Sequence, residues 1–276
     1  VIAPAKLNLC LYLGPAREDG LHELCSLFQP LALADRVTVS PAERDEIVCP
    51  GVGGSNLAAA ALEALREAGW EHPPVRIEID KRIPIAAGLG GGSADAGAVL
   101  RLAAGELPDL AEIAASLGAD VPSQLDPRPA LVGGAGERVE PLPEPGEWAA
   151  VLIPDERGLA TADVYAEADR LGLGRDAEAL ARAAARIRAA ARAGATPLDF
   201  PELIENDLAA AAISLRPEID EALAQLREVG AAVALVTGSG PTAVGLFANV
   251  ARADSAAGRL PHRYASAIVT TPDTYR

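Results

Sequence analysis

The spacing of apolar and polar positions changes several times along this chain, and each change marks an element. Alternation over residues 1–14 predicts a strand, and residues 31–40 read as another, with Val37 and Val39 on one face. A helical period predicts a helix over 55–68, with Ser55 or Asn56 near its N-cap and Gly69 past its end. Strand alternation returns over 75–80. A run of glycines follows, then helices over 93–104 and 110–117, the second started after Pro108-Asp109. Short strands over 130–132 and 137–139 flank the turn Gly133-Gly-Ala-Gly136.

The stretch Pro141-Leu-Pro-Glu-Pro-Gly146 suits neither a helix interior nor a central strand. It predicts a domain boundary that separates 1–145 from 146–276. Beyond it come a strand over 149–153 and a long helix over 175–193. The arginines of that helix, at 182, 186, 188 and 192, read as a solvated face. A helix over 217–229, strands over 232–236, 242–247 and 265–270, and a helix over 250–259 complete the chain. The order strand, helix, strand, strand, helix, strand points to a ferredoxin-like second half. The expected class is α+β in two domains.

Composition narrows the picture. Half of the 276 residues are hydrophobic but only 3% are aromatic, so the core is aliphatic. A formal net charge of −15 argues against an extended nucleic-acid surface, which works by cationic neutralisation of phosphates. Anionic small molecules stay open, because they respond to a local field. Cys10, Cys25 and Cys49 have neither metal-finger nor redox spacing, and an odd number suits a reducing compartment. No apolar run is long enough for a membrane span, and no basic region leads an apolar one at the N-terminus. The expectation is a soluble cytoplasmic protein without nucleic-acid or membrane partners.

Four segments carry candidate chemistry. In Pro84-Ile-Ala-Ala-Gly-Leu-Gly-Gly-Gly-Ser-Ala-Asp-Ala96, glycines follow a strand and precede a helix expected to open at Ser93. Such a loop can aim several backbone N–H groups into one concavity beside a helix N-terminus, which suits a polyphosphate. It lacks the Gly-Lys-Ser/Thr ending of the P-loop, and Ser93 stands where a dinucleotide fingerprint would have its last glycine. The plainer alternative is a flexible turn with a serine cap. Lys6 and Asn8, two apart, share one face of the first strand. They suit a cleft wall, or else an edge strand showing its polar face to water. Asp120, in Leu117-Gly-Ala-Asp-Val-Pro122, sits in an apolar stretch where an unpaired carboxylate is costly. It is either a helix C-cap or turn aspartate, or the partner of a cation such as Lys6, and such a pair beside bound phosphate fits phosphoryl transfer. The turn Thr237-Gly-Ser-Gly-Pro-Thr242 could add backbone donors near the same phosphates.

Five ordered segments together resemble a known family: Pro4-Ala-Lys-Leu-Asn8; Asp19-Gly-Leu-His-Glu-Leu24; Lys81-Arg-Ile-Pro84 with Gly88-Leu-Gly-Gly-Gly-Ser-Ala-Asp95; Leu117-Gly-Ala-Asp-Val-Pro122; and Thr237-Gly-Ser-Gly-Pro241. They look like the marks of the galactokinase, homoserine kinase, mevalonate kinase and phosphomevalonate kinase (GHMP) superfamily over nearly the whole chain. The Lys-Asn strand and the Asp-Gly-x-His-Glu segment match its branch in the non-mevalonate isoprenoid pathway. The resemblance implies an N-terminal ribosomal-protein-S5-domain-2-like domain and a C-terminal ferredoxin-like domain. It implies an ATP-dependent kinase, using Mg²⁺, that phosphorylates the 2-hydroxyl of 4-diphosphocytidyl-2-C-methyl-D-erythritol. A monomer or homodimer with small-molecule substrates is expected.

Carried over by position, the resemblance makes Lys6 and Asp120 the catalytic pair. Gly88, Leu89, Gly90, Gly91, Gly92 and Ser93 would hold the ATP phosphates, with Asn56 and Lys81 near the adenosine. His22 would hydrogen-bond the cytosine, Tyr165 in Thr161-Ala-Asp-Val-Tyr165 would stack on it, Asn8 would face the substrate and Phe28 would line its pocket. Gly238, Ser239 and Gly240 would face the diphosphate region. The chain departs from the family pattern at Leu21, where a tyrosine is usual, and at Ala94, where a second serine is usual. Ser123-Gln-Leu-Asp126 is also more polar than expected. Three other readings compete. A homoserine or phosphomevalonate kinase would lack Asp19-Gly-Leu-His22, and a non-catalytic nucleotide-binding protein would not need both Lys6 and Asp120. A Rossmann oxidoreductase would use Glu106 at the ribose spacing.

Overall fold

Two long antiparallel strands, β1 (Ile2–Ala16) and β2 (His22–Pro41), form the spine of the first half. The structure is a computed structural model and describes residues 1–53, 56–155 and 157–273. β2 pairs with β1 on one edge, and on the other with β4 (Val75–Asp80) and β5 (Ala130–Gly134). β3 (Glu46–Val48) adds in parallel to β4, and β6 (Arg138–Pro141) adds antiparallel to β5. Helices α1 (Leu57–Glu67), α2 (Gly91–Leu100) and α3 (Leu110–Leu117) pack together, with α2 also against β1 and β2.

The second half contains a four-stranded antiparallel sheet ordered β10 (Ile268–Thr270), β7 (Ala149–Ile153), β9 (Ala243–Phe247), β8 (Val233–Val236). The chain runs β7, a helical crossover, β8, β9, α8 (Val250–Ala257), β10, which is the expected ferredoxin-like order. The crossover holds α4 (Thr161–Leu171), α5 (Ala177–Ala190), α6 (Ala209–Leu215) and α7 (Glu218–Glu228). β1 belongs to both cores. Leu7 and Leu9 join the cluster under the first sheet, whereas Leu11 and Leu13 pack with Ala149, Val151 and Leu208. Among the described residues no helix is long and apolar enough to cross a membrane.

Several elements depart from their expected limits. The strand expected over 31–40 is the second half of β2. Its first half was hidden because the buried Ser26 and Gln29 break the apolar alternation. α2 opens at Gly91, not Ser93, with Gly90 as its cap. α4 was not foreseen; its buried side chains are Val164 and Ala168. Asn56 is the N-cap of α1, its side chain accepting from the Ala58 N–H; Ser55 lies outside the described residues. Arg182 and Arg188 form exposed ion pairs with Glu178 and Glu140, as a solvated face should. Glu106 accepts the indole N–H of Trp70 at 2.9 Å, a structural bond that leaves the oxidoreductase reading without its ribose ligand.

The polar run after Pro122 also has a packing role. Ser123 Oγ donates to the Asp120 carbonyl at 2.8 Å, and Gln124 is buried against α2 at Gly97. A Cβ on Gly97 would lie 2.4 Å from the Gln124 Cβ and 2.7 Å from its carbonyl oxygen. Gly97→Val is therefore expected to force α2 off the Asp120 segment. The expected loss is about 1–3 kcal/mol, the cost of overpacking a close contact, read as a lower urea midpoint.

Candidate active site

A cavity of about 930 Å³ opens between the two halves. β1 supplies its floor. Register irregularities in the β1–β2 ladder fall between Pro4 and Lys6 and between Asn8 and Cys10, bracketing the two polar residues. Both are buried, Lys6 at 5% and Asn8 at 3% exposure, which removes the water-facing edge-strand alternative. Asn8 is held at both ends: its Oδ1 accepts from Lys6 Nζ at 2.6 Å and its Nδ2 donates to Ser26 Oγ at 2.8 Å. Lys6 Nζ also lies 3.1 Å from Asp120 Oδ2 and 4.7 Å from the centre of the Phe28 ring. A buried ammonium needs such partners. Asp120 is half-buried at the cavity wall, so one carboxylate pairs with Lys6 and still meets the cavity.

The glycine loop forms the next wall. Gly88 has φ +75° and lies so close to the second turn that a Cβ there would be 2.4 Å from the Gly240 carbonyl oxygen. Gly90, the α2 cap, has φ +70°, and a Cβ there would be 2.8 Å from Lys6 Cγ. Only glycine meets both demands. No side chain caps α2, and its first bond runs from Ala94 N–H to the Gly90 carbonyl at 2.8 Å. The amides before Ala94 have no intrahelical acceptor and face the cavity with the positive end of the helix dipole. That is the makeup of an anion site, and it rules out the serine-capped turn.

Behind the loop lies a buried charge cluster. Lys81 Nζ bonds Asp95 Oδ2 at 2.7 Å and makes a shorter contact with Asp35 Oδ2. Asp35 Oδ1 accepts the Arg82 and Ile83 N–H groups at 2.5 and 2.8 Å. Burial opposes the Lys81 charge, but its bonds to Asp35 and Asp95 hold it above the ordinary lysine value. Burial pushes Asp95 up to about 6, although Lys81 pulls the other way. The cluster ties the end of β4 to the first turns of α2 and so fixes the loop between them.

The remaining wall comes from the second half. α4 contributes Tyr165 and Asp169, which face His22 at the start of β2. The Tyr165 and His22 rings lie 5.5 Å apart, and Asp169 Oδ1 is 2.8 Å from His22 Nε2. Burial, then the Asp120 charge, raises the Tyr165 hydroxyl to about 12, so it stays protonated. Leu21 is 53% exposed at the rim. Thr161 Oγ1 and Ser239 Oγ are 3.1 Å apart and link α4 to the 237–242 turn.

The structure brings the sequence-derived candidates together: Lys6, Asn8, His22, Phe28, Asn56, Lys81, residues 88–93, Asp120, Tyr165, Gly238 and Ser239 all line this cavity. Gly240 does not; it is buried against Gly88 beneath the wall. Sequence reasoning missed Asp35, Asp95 and Asp169. Asp95 carried a usable signal, a lone carboxylate inside the Gly-Ala-rich start of a helix. A second signal went unread: Lys6 and Lys81 are the only lysines in the chain, against 22 arginines, and both line the cavity.

The chain has close relatives. The GHMP kinases N terminal domain family matches residues 56–134, and the GHMP kinases C terminal family matches residues 175–266. A 4-diphosphocytidyl-2-C-methyl-D-erythritol kinase of Streptomyces coelicolor is 40% identical over 274 residues, covering 94% of this chain and 91% of its own. One of Kineococcus radiotolerans is 38% identical, covering 94% and 83%. A crystal structure of a 4-(cytidine 5'-diphospho)-2C-methyl-D-erythritol kinase matches at 37% identity and a TM-score of 0.77, covering 99% of both chains. A homoserine kinase from Cytophaga hutchinsonii, at 16% identity and a TM-score of 0.67, covers 99% of this chain and 93% of its own and shares the fold.

Removing the cation from the charge cluster tests its structural weight. Lys81→Ala leaves Asp35 and Asp95 buried together without a counter-ion. The expected loss is about 3–5 kcal/mol, measured by urea denaturation.

Proposed function

We propose the chemistry of this protein from the premise that the chain belongs to the 4-diphosphocytidyl-2-C-methyl-D-erythritol kinase family of the GHMP kinases. It is an ATP-dependent kinase, and it transfers the γ-phosphoryl group of ATP to the 2-hydroxyl of 4-diphosphocytidyl-2-C-methyl-D-erythritol. The observation that carries the assignment of parts is the Lys6–Asp120 pair at 3.1 Å in a cavity walled by the glycine loop.

Asp120 takes the proton of the substrate hydroxyl. The oxygen attacks the γ-phosphorus, the bond from that phosphorus to the bridging oxygen breaks, and ADP leaves. Lys6, oriented by Asn8, balances the charge of Asp120 and of the developing alkoxide. The loop amides of 88–93 and the α2 N-terminus hold the phosphates, with Asn56 and Lys81 toward the adenosine. His22, Phe28 and Tyr165 form the cytidine side, with Gly238 and Ser239 beside the diphosphate.

Magnesium belongs to the same proposal. Among the described residues no cluster of three His, Cys, Asp or Glu side chains could hold a metal. The Ser93 hydroxyl is an oxygen donor of this wall, which fits a cation carried largely on the nucleotide and its water. Bound there, it would draw charge off the phosphates. The division into domains over 1–145 and 146–276 is supported by the two family matches, which fall on either side of it.

A panel of phosphoryl acceptors with ATP tests the substrate. Turnover is expected with the cytidyl substrate and not with homoserine or phosphomevalonate; the reverse preference overturns the reading. Asp120→Asn is expected to cut turnover about 10²–10⁴-fold, the range for loss of a general base, while calorimetry still detects ATP binding. Near-normal turnover would mean that another group is the base. On the cytidine side, Tyr165→Ala is expected to raise KM for the cytidyl substrate about tenfold or more, the size of one lost stack. Leu21→Tyr, which restores an aromatic at the rim, should lower that KM. KM for ATP should stay unchanged in both, and a normal cytidyl KM in Tyr165→Ala would remove Tyr165 from the base pocket.

A further inference from the structure

Asp169 is mostly solvent-exposed, yet one of its oxygens lies 2.8 Å from the Nε2 of a buried histidine. It stands four residues after Tyr165 on α4, so one helix face presents both residues to His22. An ionised carboxylate can only accept a hydrogen bond. In a neutral ring, the nitrogen facing it must therefore carry the proton, and the other nitrogen keeps its lone pair. For a neutral His22 this geometry would put the proton on Nε2 and leave the lone pair on Nδ1. Nδ1 has no hydrogen-bond partner among the described residues, and the ring lines the cavity beside Tyr165.

We propose that Asp169 is a positioning residue that fixes the tautomer of His22, and that this makes the cavity select a base with an exocyclic amine, cytosine, over its oxo counterpart, uracil. The inference rests on the cytidyl reading of the cavity. The cytosine amine donates to Nδ1. Uracil would bring a carbonyl oxygen to the same place, setting lone pair against lone pair where water is largely excluded. A site that hydrogen-bonds one partner rejects an analogue that leaves its polar group unpaired. Asparagine at 169 could accept through its oxygen or donate through its amide. Either tautomer of His22 would then be allowed, and a ring with Nδ1–H would suit the uracil carbonyl. No hydrogen bond or ion pair joins Asp169 to Lys6 or Asp120, so the transfer step should be spared.

Two measurements on Asp169→Asn test this. The first is ligand-free ¹⁵N–¹H correlation of the imidazole nitrogens at about pH 8, above the ordinary histidine range. The chain has three histidines, and His22 is assigned by its loss in His22→Gln. The native protein should show the Nε2–H form at His22, and the variant a mixture or the Nδ1–H form. The second is steady-state kinetics with the cytidyl substrate and its uridyl analogue. In the variant, KM for the cytidyl substrate should rise about 5- to 30-fold, the size of one lost hydrogen bond, with kcat within about twofold. The preference for cytosine over uracil in kcat/KM should narrow by a similar factor, and Asp169→Glu should restore it. An unchanged base preference, or an Nδ1–H form in the native protein, overturns the proposal. If Tyr165→Ala raises the cytidyl KM while Asp169→Asn leaves the preference intact, only this inference fails. If neither variant affects the cytidyl substrate, the cytidyl reading itself fails.

Discussion

The edge of β1 that turns away from β2 is where this molecule is put together. A strand edge is a row of donors and acceptors that must find partners when buried. Here the Lys6 N–H bonds the Leu89 carbonyl at 3.0 Å, so the glycine loop is tied to the strand at the lysine. The Asn8 N–H bonds Thr237 Oγ1 at 2.9 Å, which brings in the second glycine turn from 229 residues away. Leu11 exchanges bonds with Glu205 and Asp207. The glycine loop and the 237–242 turn, two walls of the cavity, are thus registered against one strand. The side chains that point from that strand into the cavity, Lys6 and Asn8, are positioned by the same bonds.

That arrangement explains how a protein with a net charge of −15 can hold an anion. The favourable field does not come from the surface, which carries the excess carboxylates. It comes from one helix N-terminus and a set of loop amides, in a partly enclosed space where charges are less screened. Each lysine carries its own carboxylates, Asp120 for Lys6 and Asp35 with Asp95 for Lys81. The two environments differ. Asp120 meets the cavity and has a single cation partner, which leaves it able to take a proton. Asp35 is fully buried and bonded to two backbone amides, which suits a fixed strut.

α4 joins the halves from the other side. It was not read from the sequence, and in the structure it acts as a bridge. Its cavity face carries Tyr165 and Asp169, and its buried stripe is only Val164 and Ala168. The Thr161–Ser239 and His22–Asp169 contacts tie it to both halves of the chain.

By itself the sequence determined what depends on neighbours along the chain. Alternation placed β1 and β4, and the order of strands and helices after residue 146 pointed to the ferredoxin-like sheet. The glycine loop was legible because conformational freedom and a following helix are local properties, and Lys6 and Asn8 were legible as a pair because strand geometry puts them on one face. The resemblance carried the order of the five segments, and with it the candidate roles. The tertiary structure alone decided which distant groups meet. Asp95 was invisible as a partner of Lys81 until α2 packed on β1 and β2, next to the residue that follows β4. His22 and Asp169, 147 residues apart, touch only because α4 crosses the cleft. The polar Ser123 and Gln124 looked out of place until Gly97 admitted them against α2. The physical reason is common to all three: hydrogen bonds and ion pairs act over a few ångströms of space, and only the packing of apolar faces determines which parts of the chain come that close.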